Sequence, residues 1–192
     1  MRDFLHLAGV LTLISVLAAG ALSRVHLMTR DRIAVVERQK ELDAMQAALP
    51  ASGMFEADTT GDGFAYYRGY TGEFASGEPL GYVALALGKG YSSTIRTMVG
   101  VDSTGTITGI KVASQQETPG LGTKVEERRR GQDEPWFQSQ FKGKGESDLQ
   151  LARGGGPNGI EAITGATISS RAVASSVRET VVQLGKVIDR NK

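Results

Sequence analysis

Apolar residues follow three different periods along this chain. Over residues 5–22 they are nearly continuous: Leu5, Leu7, Val10, Leu11, Leu13, Ile14, Val16, Leu17 and Leu22, with no formal charge between Asp3 and Arg24. About 20 such residues, at 1.5 Å rise each, cross the ~30 Å hydrocarbon core of a bilayer. The pattern predicts a transmembrane anchor over residues 1–27. Gly9, Gly20, Ala8, Ala18 and Ala19 offer a surface that another membrane helix can approach closely. A signal peptide cleaved at Ala19-Gly20-Ala21 is the competing reading. It is set against the long span and the helical pattern that follows. In residues 28–49 the period changes: Ile33, Val36, Leu42, Met45 and Leu49 fall near helical spacing among charges. Pro50 with Ser52-Gly53 closes that pattern. Residues 28–50 are expected to form a helical stalk packed on the edge of a domain over residues 51–192.

Within that domain the period first becomes two. Residues 64–68, 80–87, 94–101 and 106–114 are rich in β-branched and aromatic side chains. They are separated by the turn signals Gly77-Glu78-Pro79, Gly88-Lys89-Gly90 and Asp102-Ser103-Thr104-Gly105. Residues 94–114 read as the clearest hairpin. Successive strands at this spacing, with helices elsewhere, predict an α+β domain around an antiparallel sheet. The last period is 3.6: Val173, Val177, Val181, Leu184 and Ile188 form one stripe of an amphipathic helix.

The stretch Ile163-Thr164-Gly165-Ala166-Thr167-Ile168-Ser169-Ser170 lies between a glycine-rich loop (Gly154, Gly155, Gly156, Gly159) and that helix. Thr167, Ser169 and Ser170 crowd the expected N-terminus, where hydroxyls accept bonds from free backbone N–H groups. A helix N-terminus also favours phosphate. Gly165 permits a tight turn and Ala166 adds little bulk, so Thr167 offers its hydroxyl where a phosphate is stabilised. Simple capping is the alternative, for Thr167 and for Thr164 alike.

Composition narrows the chemistry. The net charge of +1 gives no argument for nucleic acid. There is no cysteine, so disulfides, cysteine-bound iron–sulfur clusters and cysteine nucleophiles are excluded together. The two histidines, His6 and His26, both belong to the N-terminal anchor segment, so no histidine-based metal or catalytic site is expected in the domain. Redox chemistry here requires an organic cofactor. Residues 124–130, with Arg128-Arg129-Arg130, are diluted by Glu126, Glu127, Asp133 and Glu134 and read as a solvated helix face. Trp136, Phe137 and Phe141 are assigned to anchoring that helix on the core, with stacking of Trp136 on a cofactor as the alternative.

Thr164-Gly165-Ala166-Thr167 resembles the S/T-G-A-T flavinylation motif of the FMN-binding domain family. The blocks Gly88-Lys89-Gly90-Tyr91, Gln116-Glu117-Thr118-Pro119-Gly120-Leu121-Gly122 and Pro135-Trp136-Phe137 to Phe141-Lys142-Gly143-Lys144 are similar, in this order, to the G-type subunit of the Rnf electron-transport complex. Glu161 stands where the family's attachment motif usually has Asp, a carboxylate of longer reach. The resemblance implies FMN joined by a phosphoester to Thr167, with Thr164, Gly165 and Ala166 forming the attachment turn. It places Glu117 and Thr118 near the flavin's polar edge, Leu121 against its face, and Gly90 and Tyr91 in a loop reaching the ligand.

The implied protein is an electron-transfer subunit rather than a complete enzyme. It relays electrons between ferredoxin and NAD in a translocase complex coupled to ion movement. Its implied partners are the other membrane subunits and, for maturation, a flavin transferase. The C-type subunit of the sodium-translocating NADH:quinone reductase is the related alternative, and a flavin-free assembly subunit is the alternative of another class. Topology divides the signals. Arg24, Arg30, Arg32, Arg38 and Lys40 follow the span and only Arg2 precedes it, which by the positive-inside rule puts the domain in the cytoplasm. The resemblance implies a single-pass protein of the bacterial inner membrane with its domain on the periplasmic side. That is the expectation adopted, because a large translocated domain overrides a short-range charge bias.

Overall fold

The computed structural model describes residues 1–72, 77–152 and 159–190. The chain divides into two compact units, Met1–Lys40 and Glu41–Lys192. Helix α1 runs over Arg2–Ala48. Residues 1–40 are exposed throughout, and an 18-residue stretch of this helix has a mean hydropathy of 2.1 with none of it buried. A helix that presents leucine and isoleucine on all sides is matched to hydrocarbon rather than to water.

The second unit is built on a five-stranded antiparallel sheet: β1 (Met54–Thr59), β2 (Ala65–Tyr70), β3 (Gly81–Lys89), β4 (Thr94–Asp102) and β5 (Ile107–Ser114), in sequential order. The four predicted strands are present within two residues at each end. The turn expected at Gly88-Lys89-Gly90 falls later, because β3 continues to Lys89 and Gly90 N–H bonds the Ser93 carbonyl at 2.9 Å. At the β4–β5 turn, one Asp102 oxygen accepts N–H bonds from Thr104 and Thr106 and the Thr104 hydroxyl. Strand β1 is not among the predicted strands. It alternates poorly, since Glu56 and Asp58 leave it an edge strand with little buried surface.

After the sheet come a 3₁₀ turn (Gly122–Glu126), the short helix α2 (Trp136–Ser139), and a parallel pair, β6 (Gln150–Ala152) with β7 (Gly159–Glu161). The closing helix α3 spans Thr167–Arg190. The solvated helix expected over residues 124–130 is corrected: regular structure stops at Glu126, and Glu127 is extended. With no such helix to anchor, the aromatics still pack on the core. Phe137 and Phe141 are fully buried, and Arg129 lies 3.7 Å above the half-buried Trp136 ring. The glycines at 154, 155 and 156 lie outside the described residues.

The sheet is covered on both faces. One face, with Ile95, Val99, Val101, Ile110 and Val112, packs on the α3 stripe of Val173, Val177, Val181, Leu184 and Ile188. The other, with Val83 and Met98, packs on Ala44, Met45, Ala48 and Leu49. The end of α1 therefore lies on a face of the sheet. What admits it is a shallow trough of glycines. A Cβ at Gly100 would sit 2.3 Å from the Ala48 carbonyl oxygen, and one at Gly69 would sit 2.5 Å from Leu49. Gly100→Ala is expected to lower unfolding stability by about 2–3 kcal/mol, the upper range for overpacking, because the obstacle is backbone. Denaturant unfolding of the full chain in detergent, followed by fluorescence of its single tryptophan, measures this. An unchanged midpoint would mean that the helix end does not rest there.

Candidate functional site

The loop ahead of α3 is a tight turn. Ala166 N–H bonds the Ile163 carbonyl at 2.9 Å, and Gly165 sits at φ +80°, a conformation few residues other than glycine adopt. Thr164 and Gly165 occupy the corner, so the two threonines leave the turn on different sides. Thr164 faces a cleft of about 210 Å³ lined by Lys124, Arg129 and Trp136. Thr167 faces another, of about 540 Å³, lined by Tyr91, Glu117, Thr118, Leu121, Gly122, Gly165, Ala166, Ile168 and Ser169.

The serines do not cap the helix in the expected way. Ser170 Oγ accepts the Ile163 N–H at 3.0 Å and donates to the Ala166 carbonyl at 2.9 Å, which stitches the turn to the helix. Ser169 Oγ donates to Glu117 at 2.5 Å. The residue in the capping position is Ala166, whose carbonyl accepts the first helical bond from Ser170 and whose methyl accepts nothing. Among the described residues, the backbone N–H groups of Thr167, Ile168 and Ser169 have no hydrogen-bond acceptor, and the exposed Thr167 hydroxyl has no partner. Capping alone does not explain the motif. The turn delivers a free alcohol beside three free donors at the positive end of a helix.

Glu117 is the hub of the opposite wall. It is 5% exposed, and its oxygens accept the backbone N–H groups of Tyr91, Ser92 and Ser93 at 2.9–3.0 Å and the Ser93 and Ser169 hydroxyls. Burial alone would raise its pKa; the Ser169 hydroxyl and the three N–H groups outweigh it and hold the carboxyl well below its usual range, at about 2. Glu117 is therefore not a merely solvated carboxylate. The carboxylate lines the cleft, but its bonding capacity is spent on the protein. Gly90 and Gly122 are part of this clamp, since a Cβ at either would come within 2.6 Å of Glu117. Gly90 lies against the carboxylate rather than on the cleft lining.

Pro119 and Gly120 make the predicted turn, with Leu121 N–H bonded to the Thr118 carbonyl at 3.1 Å and Gly120 at φ +75°. Leu121, Tyr91 and Ile168 are left exposed at 46, 73 and 52% on the cleft. The Thr118 hydroxyl lies 3.3 Å from the Ser92 hydroxyl. Of the residues singled out in the sequence, the structure brings Thr167, Gly165, Ala166, Glu117, Thr118, Leu121 and Tyr91 to one cleft, and places Thr164 elsewhere. Ile168 and Ser169 join them without a sequence signal that marks them as site residues.

An apolar cleft of this volume, with free N–H donors and an alcohol on its lining, has room for a flat ring carrying a phosphate. Residues 90–182 match the FMN-binding domain family, so that is the class of the domain. The chain belongs to the family of G-type subunits of ion-translocating, Rnf-type oxidoreductase complexes. The G-type subunit of the ion-translocating oxidoreductase complex from Methanosarcina acetivorans is 32% identical over 176 residues, 89% of each chain. Its counterpart in the Na(+)-translocating ferredoxin:NAD(+) oxidoreductase complex of Acetobacterium woodii is 33% identical over 90% of this chain and 87% of its own. Among solved structures, Shewanella oneidensis NqrC matches with a TM-score of 0.50 at 25% identity over 74% of each chain. The C-type subunit of the Na(+)-translocating NADH-quinone reductase from Parabacteroides distasonis shares the fold, with a TM-score of 0.51 at 23% identity over 65% of this chain and 62% of that one.

Proposed function

We propose that this chain is the membrane-anchored electron-carrying subunit of an ion-translocating oxidoreductase complex, with FMN joined through its phosphate to Thr167. The observation that carries the reading is the free Thr167 hydroxyl beside three unpaired backbone N–H groups. When bound, the flavin supplies one- and two-electron redox chemistry that the side chains here lack. The protein's part is to hold it. Thr167 would carry it as a phosphoester: its Oγ would displace the second phosphate of a flavin phosphoanhydride presented by a transferase, the anhydride P–O bond breaking and the threonine proton leaving with the released phosphate. The N–H groups of Thr167, Ile168 and Ser169 would stabilise the charge its phosphate keeps. Tyr91, Leu121 and Ile168 give the ring apolar surface, and Glu117 fixes the wall behind it. Because the tether is covalent, the cofactor stays in place in a compartment without free flavin.

Intact-mass measurement with peptide mapping tests this on chain made together with a flavin transferase. The expected result is a mass increase matching FMN on the peptide containing Thr167, and an unmodified peptide leaves only an assembly role. For orientation, the domain is assigned to the periplasmic side. The chain has no cysteine, so Gly61→Cys, on an exposed turn with open space around the new side chain, gives a single reporter. Labelling by a membrane-impermeant maleimide is expected in intact spheroplasts; labelling only after lysis would put the domain in the cytoplasm.

A further inference from the structure

Helix α3 carries four cations, and three have partners. Arg178 approaches Glu146 at 3.9 Å, Lys186 approaches Gln183 at 3.5 Å, and Arg190 approaches Asp62 at 3.7 Å. Among the described residues Arg171 has none, and it is exposed. It stands four residues after Thr167, so the two side chains are neighbours on one face of the helix. Four residues separate the two Cα atoms by about 6 Å along the helix axis, and Cα–Cβ bonds tilt toward the N-terminus, so Thr167 lies within the reach of an arginine side chain at 171. Arg171 borders a groove of about 300 Å³, with Lys89 and Glu179 also on its lining, that shares Ile168 with the Thr167 cleft. Local electrostatics disfavour the arrangement. The first turn of α3 has no acidic residue, and a cation near the positive end of a helix is repelled by the dipole. An anion at Thr167 removes that conflict.

We infer that Arg171 holds a non-bridging oxygen of the phosphate joined to Thr167, as a positioning residue that fixes the direction of the flavin tether. This rests on Thr167 as the attachment point. A phosphodiester there keeps one negative charge, and a guanidinium N–H donates a charge-assisted hydrogen bond to one of its two free oxygens.

The test uses the full chain, loaded by a flavin transferase and purified in detergent. An intact mass showing no FMN on the wild type overturns the attachment itself and this role with it. With the wild type loaded, Arg171→Gln is compared by phosphorus NMR of the diester and by the anisotropy decay of flavin fluorescence. The phosphorus resonance is expected to move, the fast rotational component to grow at least about twofold, and loading to slow by roughly tenfold, the scale of one charge-assisted hydrogen bond. Arg171→Lys should recover most of the loading rate. A loaded R171Q chain with unchanged resonance and unchanged anisotropy overturns the role and leaves the attachment standing. If R171Q does not load at all, loading of R171K supports the role and failure of both variants overturns it.

Discussion

Thr167→Ala is expected to yield a protein that folds, inserts and carries no covalent flavin. The side chain is exposed and makes no hydrogen bond among the described residues, so its loss should change stability by no more than about 0.5 kcal/mol. The effect on loading is of another order, because the reacting oxygen itself is removed. Flavin content should fall at least about a hundredfold, as expected when a nucleophile is deleted. Thr167→Ser keeps the oxygen and should load, more slowly, since an unbranched side chain holds χ1 less firmly. Thr164→Ala is the informative control. Thr164 leaves the same turn into the cleft with Arg129 and Trp136, so the T164A chain should load normally. Intact mass and in-gel fluorescence of denatured protein read the outcome, with a thermal melt run alongside. A fluorescent T167A band, or loss of loading in T164A alone, would move the attachment to the other threonine.

The parts of this fold legible in the sequence are those whose side chains repeat. The α3 stripe, the strands of the 94–114 hairpin, the Pro119-Gly120 turn and the Gly165 turn all carry their signal in residue type. What is not legible depends on backbone. In a sequence, glycines at 69 and 100 suggest turns or weak strands; in the fold they clear space for the end of α1, and nothing local announces that second backbone. The charges of residues 124–130 suggest a helix, yet the chain turns extended at Glu127 and reaches α2 through Gly131 and Pro135. Glu117 shows the same limit at the site. Its loop marks it as a residue facing a ligand, but its principal partners are three peptide N–H groups, which any sequence supplies. The available signal is indirect: Gly90 and Gly122, where a side chain would run into the carboxylate.

That clamp sets the second large expectation. Glu117→Gln should lower unfolding stability by about 2–4 kcal/mol, since the amide keeps one acceptor oxygen and turns its own N–H groups toward buried donors. The wild-type carboxyl titrates at about 2 in the folded state, against an ordinary value of 4.5. A folded-state pKa below the unfolded one stabilises the fold fully above the unfolded value, and that contribution is lost as pH falls through the folded value. The wild type should therefore give up roughly 3 kcal/mol as pH falls from just above 4.5 to about 2, at a nearly even rate of about 1.4 kcal/mol per pH unit across that window. The E117Q chain has no proton to take up there and should lack this component. Denaturant unfolding of both proteins in detergent, followed by tryptophan fluorescence from about pH 6 to pH 3, separates them. Parallel decline of the two curves would show that the carboxylate charge does not hold the clamp. The same bonds join the 91–93 turn, the 117–122 loop and the start of α3, so E117Q should also load flavin several-fold more slowly at temperatures where it remains folded. Normal loading by a destabilised E117Q chain would confine Glu117 to stability and leave the geometry around Thr167 to the turn alone.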